Sequence, residues 1–315
     1  MQKIIEKKEL NNFVKSLMKN YEVIAPVKRK IARFEILKNP EDMYLDEITL
    51  VPLKQFFLPE NETLFDFKNN KIKKNKTEGR KRIVFGLRKC DLNALLVLDR
   101  VMSYPEYIKK RQNTILVGLY CEKPDEFCFC NSMELEEHYD LFFYASGDKY
   151  YISIGSKKGA LLVRNLDNAD KEVKKEIKNF KKLENKNIEK DYSNKKWDED
   201  VEKCLSCSAC TVFCPTCNCF DIQDVKELSE NSGKRIKTQS SCQLKSFSEV
   251  AGGKIFRESR ASRFKHFVYH KIVFYNKRFN KYMCVGCGRC LRACPTRIDW
   301  VETINSIKSK KGDKK

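Results

Sequence analysis

The first part of the chain sets short apolar runs between polar segments at the spacing of an α/β fold. Ile4, Ile5, Phe13, Leu17 and Met18 recur at roughly helical intervals and predict an amphipathic helix over residues 1–20. A mixed region follows and ends in the apolar stretch 51–59. Residues 82–87 and 114–120 are nearly unbroken apolar runs, as expected of buried strands. Residues 92–102 between them read as a helix, with Asp91 placed to cap it. Strand, helix and strand at this spacing predict a βαβ unit with a parallel pair. Residues 140–145 and 149–155 read as two more strands around the turn Ser146-Gly147-Asp148. Residues 168–196 are lysine-rich and read as a solvated helix followed by a linker, which places a domain boundary near residue 196. Beyond it, helices are predicted over 225–230, 242–250 and 260–275.

The second part is dominated by cysteine. Cys204, Cys207, Cys210 and Cys214 with Pro215, and Cys284, Cys287, Cys290 and Cys294 with Pro295, each spell C-x2-C-x2-C-x3-C-P. That run holds clusters in bacterial two-cluster ferredoxins, and its fourth cysteine ligates the other cluster. Three cysteines three residues apart wrap one turn around three irons. The proline then stops the turn from continuing as a helix. The expected ligand sets are therefore crossed. Cys204, Cys207, Cys210 and Cys294 hold one [4Fe-4S] cluster, and Cys284, Cys287, Cys290 and Cys214 hold the other. Such crossing couples cluster assembly to folding. Zinc also takes four cysteines, but it does not ask for three evenly spaced ones followed by Cys-Pro, twice. The 15 cysteines are an odd number and no apolar signal segment precedes them, so a reducing, cytoplasmic compartment is expected and not a disulfide framework.

The fold class expected from both halves is an α+β or α/β N-terminal domain, residues 1–195, and a helical two-cluster ferredoxin-type domain, residues 196–315. No stretch reaches the length of a membrane span. Lys and Arg number 63 against 43 Asp and Glu, a net charge of +20. That balance invites a nucleic-acid reading, but no helix-turn-helix, zinc-finger or RNA-binding pattern accompanies it. The basic residues fall in separate places: the loop 68–82, the tail 308–315, and the stretch 254–281, where they interleave with aromatics between the two cysteine runs. There they are expected to offset the charge of reduced clusters or to dock an acidic partner. Arg257, Arg260 and Arg263 are the residues whose neutralisation tests this.

Seven cysteines remain. Cys90 follows the strand 82–87, Cys121 follows the strand 114–120, and Cys128 and Cys130 come soon after. Parallel strands end on one edge of their sheet, where ligand sites gather in open α/β folds. Four thiolates at that edge make a candidate third cluster site; the competing reading is four ordinary buried cysteines. Cys217, Cys219 and Cys242 are left outside every ligand set. His266 and His270 share a helix face without a third ligand, and His138 reads as a surface position. No G-x-G-x-x-G or Walker pattern is present, so the chain is expected to bind no substrate of its own.

The segments Gly86-Leu87-Arg88-Lys89-Cys90-Asp91-Leu92, Cys128-Phe129-Cys130-Asn131-Ser132-Met133, Cys204 to Phe220, Ala251 to Arg257 and Cys284 to Pro295 occur in that order. With them the chain resembles the iron–sulfur beta subunit of cytosolic nickel–iron hydrogenases of the sulfhydrogenase type. It is similar in layout to the electron-transfer subunit of the anaerobic sulfite reductase, the alternative reading. The resemblance implies an electron-transfer subunit, not a self-contained catalyst. It would stand in a hetero-oligomer between a flavin-containing, NAD(P)-linked subunit and one that holds the catalytic metal centre. Cys90, Cys121, Cys128 and Cys130 match the family positions. Lys89 departs from the proline more usual before that cysteine.

Overall fold

The computed structural model describes residues 2–69, 71–74, 80–227 and 231–307. The tail 308–315, part of the basic loop 68–82 and the end of the segment 225–230 lie outside them. The chain divides into two compact units. One comprises Met1–Leu53, Gly79–Lys181 and Val285–Gly288; the other comprises Lys54–Glu78, Lys182–Cys284 and Arg289–Lys315. The units part after Lys181, ahead of the boundary expected near residue 196, because Leu183 and Ile188 are buried and Ile188 accepts a 2.6 Å hydrogen bond from Tyr269.

The first unit is built on β1 (Lys3–Glu6), β2 (Glu22–Lys28), β3 (Ala32–Ile36), β6 (Arg82–Leu87), β7 (Thr114–Leu119), β8 (Leu141–Ser146) and β9 (Lys149–Ile154). The second holds β4 (Asn61–Lys68), β5 (Lys71–Lys74), β10 (Phe220–Lys226) and β11 (Ser232–Gln239). The larger sheet runs β1-β9-β8-β7-β6-β2-β3, with β2, β6, β7 and β8 parallel and antiparallel strands at the flanks. Its central strands are apolar along their middles, as strands covered on both faces must be, with polar residues only at their ends. Helix α1 (Leu10–Met18) lays Leu10, Phe13, Val14 and Leu17 on the sheet. Phe143 meets Phe85 edge-on at 5.2 Å between ring centres in the core below. The expected βαβ unit is β6, α2 (Lys89–Asp99) and β7, with α3 (Pro105–Gln112) also in the crossover. The helix expected over residues 1–20 starts only at Leu10. Lys3–Glu6 is drawn into an antiparallel ladder with β9, which outweighs local periodicity.

The second unit carries the two cysteine runs. It also carries a four-stranded antiparallel sheet in the order β10-β11-β4-β5. The segment expected to be helical over 225–230 begins inside β10, whose seven residues all pair with β11. Residues 242–250 form only a short 3-10 turn at Ser246–Ser248, and 168–188 contain no regular helix. The helix expected over 260–275 is present and longer: Arg260–Tyr269, a π-helical turn at His270–Phe274, then Tyr275–Phe279. Trp197, fully buried, packs edge-on against Phe264 and Tyr269 of this helix. No helix among the described residues is long and apolar enough to cross a membrane.

Candidate metal centre

The two cysteine runs fold alike. In the first, Ser206 and Ser208 are left-handed, with φ of 53° and 66°; in the second, Gly286 and Gly288 take the same conformation, at 65° and 69°. A single turn follows in each, Ala209–Val212 and Arg289–Arg292. After the fourth cysteine both runs continue Pro-Thr, and the threonine hydroxyl lies against the cysteine sulfur. Thr216 Oγ1 is 3.2 Å from Cys214 Sγ, and Thr296 Oγ1 is 3.5 Å from Cys294 Sγ. The shared threonine extends the repeat beyond the motif recognised from spacing.

Cys204, Cys207, Cys210 and Cys294 line one cavity in the second unit, together with Cys290 and walled by Phe264, Phe267 and Trp300. Two stretches of chain far apart in sequence thus contribute thiols to one cradle, and an apolar wall keeps water from part of it. Burial pushes the Cys210 thiol up to about 12, and its neighbours Cys204, Cys214, Cys207 and Cys294 push in the same direction. Thiols so placed resist ionising together until a cation shares them, the condition for metal uptake with proton release. Donors already point at several sulfurs. Ser206 N–H reaches Cys204 Sγ at 3.4 Å, Ile298 N–H reaches Cys294 Sγ at 3.4 Å, and Trp300 Nε1–H reaches Cys290 Sγ at 3.4 Å. Hydrogen bonds to cluster sulfur are among the controls a protein has over reduction potential.

Cys214 has a different neighbourhood. Lys271, on the π-helical turn and 3% exposed, sets its ammonium 3.2 Å from Cys214 Sγ and 3.1 Å from Thr216 Oγ1. Lys54, also buried, donates to the carbonyls of Thr211 at 2.9 Å and Cys217 at 3.0 Å. Cys214 is held well below the usual thiol range, first by a hydrogen bond with Cys217 and then by the two ammonium groups, against the effect of burial. Cys219 is lowered to about 6 by its hydrogen bond with Cys242. Cys217, Cys219 and Cys242, left without a role by spacing, are thus gathered at this spot. A lone lysine inside an apolar run, Val51 to Leu58 or Val268 to Tyr275, is the sequence signal for the two cations.

Arg260 and Arg263 of the basic stretch reach the first run. Arg260 Nη1 donates to the Cys204 carbonyl at 2.7 Å, and the buried Arg263 donates to Ser206 Oγ at 3.1 Å.

In the first unit, Cys90, Cys121, Cys128 and Cys130 are all buried. Cys90 sits in the first turn of α2, and Cys121 two residues beyond β7, at the expected sheet edge. Asp91, expected ahead of a helix over 92–102, lies inside α2 as its third residue because the helix starts at Lys89; from there it accepts the N–H of Arg88, the capping residue, at 3.2 Å. Lys89 is the first helical residue, where proline is also accommodated, so the departure from the family leaves this turn in place. Its ammonium pairs with Glu137 at 2.6 Å. The buried Arg88 ties the edge together through the carbonyls of Tyr120, at 2.6 Å, and Leu45. Burial, followed by the neighbouring Cys287, pushes the Cys128 thiol well up, and Cys130 is raised to about 11. Cys287 enters because Val285–Gly288 belongs to this unit: Phe129 N–H donates to the Gly286 carbonyl at 2.8 Å, and Cys128 Sγ lies 3.6 Å from the Cys287 carbonyl.

Among the described residues no three His, Cys, Asp or Glu side chains lie close enough to hold a single metal ion. A tetrahedral zinc draws its sulfurs to about 2.3 Å from one centre. A four-iron cluster spreads them over the corners of a cube. The thiol donor set, the partly apolar cradle and the donors aimed at sulfur fit that larger group.

An α/β unit joined to a paired-cysteine unit of this construction defines an iron–sulfur protein of electron transport. Residues 203–298 match the family model of the 4Fe-4S dicluster domain. The chain is 32% identical over 313 residues to sulfhydrogenase 2 subunit beta of Pyrococcus furiosus, an alignment that covers 91% of this chain and 92% of that protein. The chain belongs to the family of sulfhydrogenase beta subunits. No solved structure matches it.

Proposed function

We propose that this chain relays single electrons inside a hydrogenase-type complex in the cytoplasm. It takes them from a flavin-containing, NAD(P)-linked subunit and delivers them to a subunit with the catalytic metal centre, or runs the reverse. Two [4Fe-4S] clusters are held by the crossed sets, Cys204, Cys207, Cys210 and Cys294 for one and Cys284, Cys287, Cys290 and Cys214 for the other. A third is held by Cys90, Cys121, Cys128 and Cys130. The clusters supply reversible one-electron storage when bound. The protein's own residues orient the thiolates, exclude water and set the local charge.

The observation that carries the reading is the cavity lined by Cys204, Cys207, Cys210, Cys290 and Cys294: it brings Cys294 of the second run to the first three cysteines of the first, as the crossed arrangement requires, with Cys290 of the other set beside them. The 32% identity over most of the chain supports the choice of a hydrogenase complex over a sulfite reductase. The test is anaerobic purification, with iron and acid-labile sulfide counted per chain. About eight irons mean two clusters and about twelve mean three, at four irons each. A Cys121→Ser and Cys130→Ser double variant that keeps the full iron content removes the third cluster from the proposal. A colourless wild type without sulfide removes the proposal itself. Affinity capture of the chain from its native source should bring down a flavoprotein and a metal-bearing subunit in fixed ratio.

A further inference from the structure

The two cysteine runs share backbone conformation, proline and threonine, yet differ at the fourth sulfur. Cys294 Sγ has neutral neighbours, the Ile298 N–H at 3.4 Å and Thr296 Oγ1 at 3.5 Å. Cys214 Sγ has in addition the ammonium of Lys271 at 3.2 Å, with Lys54 buried behind it on the carbonyls of Thr211 and Cys217. The arginines near the first run stop at oxygen atoms: Arg260 at the Cys204 carbonyl, Arg263 at Ser206 Oγ and the carbonyls of Arg257 and Glu258. A buried ammonium costs free energy unless negative charge compensates it. Here the compensating group is a sulfur, and the donor sits on a π-helical turn, a feature that recurs at functional sites. The turn's neighbours Ile272 and Val273 are buried and Phe267 lies under the ammonium, so the side chain is confined to this place.

We propose that Lys271, reinforced by Lys54, biases the cluster served by Cys214, making it the more easily reduced of the two ferredoxin-type clusters. The inference rests on the ligand sets proposed above. Reduction adds one electron to that cluster. A fixed positive charge at its sulfur favours the more negative state, and the same charge acts less on the cluster served by Cys294. The asymmetry sets a downhill step between two otherwise similar centres.

The experiment is a redox titration followed by electron paramagnetic resonance on the anaerobically purified full chain and its Lys271→Met and Lys271→Arg variants. With iron content unchanged, Lys271→Met is expected to lower the higher midpoint by a tenfold or greater loss in the reduced-to-oxidised ratio, about 59 mV for a one-electron couple. The lower midpoint should stay within a fraction of that, and Lys271→Arg should retain most of the wild-type separation. Unmoved midpoints, or two midpoints falling by equal amounts, overturn the inference. So does a Lys271→Arg shift as large as that of Lys271→Met. If Lys271→Met fails to keep its iron, Lys54→Met is read in its place: a smaller fall of the higher midpoint alone supports the bias, and no fall overturns it. A wild type without clusters overturns both this inference and the function it rests on. Intact wild-type clusters with unmoved variant midpoints overturn this one alone.

Discussion

Gly286 offers the sharpest test of how the second cysteine run is held. A Cβ added there would lie 2.6 Å from both Cα and N of Cys130 and 2.7 Å from the Phe129 carbonyl carbon. All three are backbone atoms, so no side-chain rotation relieves the clash. The φ of +65° adds the ordinary left-handed penalty of about 1–2 kcal/mol for an L residue. Overpacking against a main chain that must shift adds roughly 1–3 kcal/mol. Gly286→Ala should therefore cost roughly 2–5 kcal/mol and break the 2.8 Å hydrogen bond from Phe129 N–H to the Gly286 carbonyl. Gly253→Ala is the matched control, with φ of +77° and nothing within 4 Å of the added carbon, so only the left-handed term remains. Urea unfolding of both variants, with iron counted per chain, measures the difference. Gly286→Ala proving no worse than Gly253→Ala would refute the close approach of the cysteine loop to the Cys128–Cys130 segment.

The first run supplies the converse case. Ser208 is left-handed at φ 66°, and its buried hydroxyl has no hydrogen-bond partner among the described residues, so Ser208→Gly should stabilise by about 1 kcal/mol in the same unfolding assay. Arg88→Met strips charged donors from two partly buried carbonyls at the sheet edge and should cost roughly 1–3 kcal/mol, read as a lower denaturation midpoint. In the cluster-free chain Cys210 and Cys130 are raised from 9.0 to about 12 and about 11. Folding favours their protonated forms, so their contribution is intact below pH ~9 and is lost as pH rises through those folded values. Apoprotein melting temperature should fall across that window, and a flat profile contradicts the assignment. Neutralising Arg257, Arg260 and Arg263 together should lower the cluster potentials or release a partner subunit; unchanged potentials and unchanged copurification remove that role from the basic stretch.

Cysteine spacing alone announced two iron–sulfur motifs, because a cubane accepts only a narrow geometry and the chain meets it locally, within a dozen residues. The buried strands β6 and β7 were equally legible, since a strand covered on both faces must be apolar along its length. So was the parallel pair that brings Cys90 and Cys121 to one edge. Other features depend on partners distant in sequence. Lys3–Glu6 and Phe220–Lys226 became strands because β9 and β11 lay ready to pair with them, an outcome no window around either segment contains. The grouping of Cys217, Cys219 and Cys242 around Lys54 and Lys271 is also tertiary: the two lysines are 217 positions apart, and a lysine in a mostly apolar run does not say which sulfur it will meet. Local covalent chemistry therefore declared what kind of centre this protein builds. Long-range packing alone decided which buried charges stand beside which sulfur, because electrostatic effects follow distance and burial through space and not order along the chain.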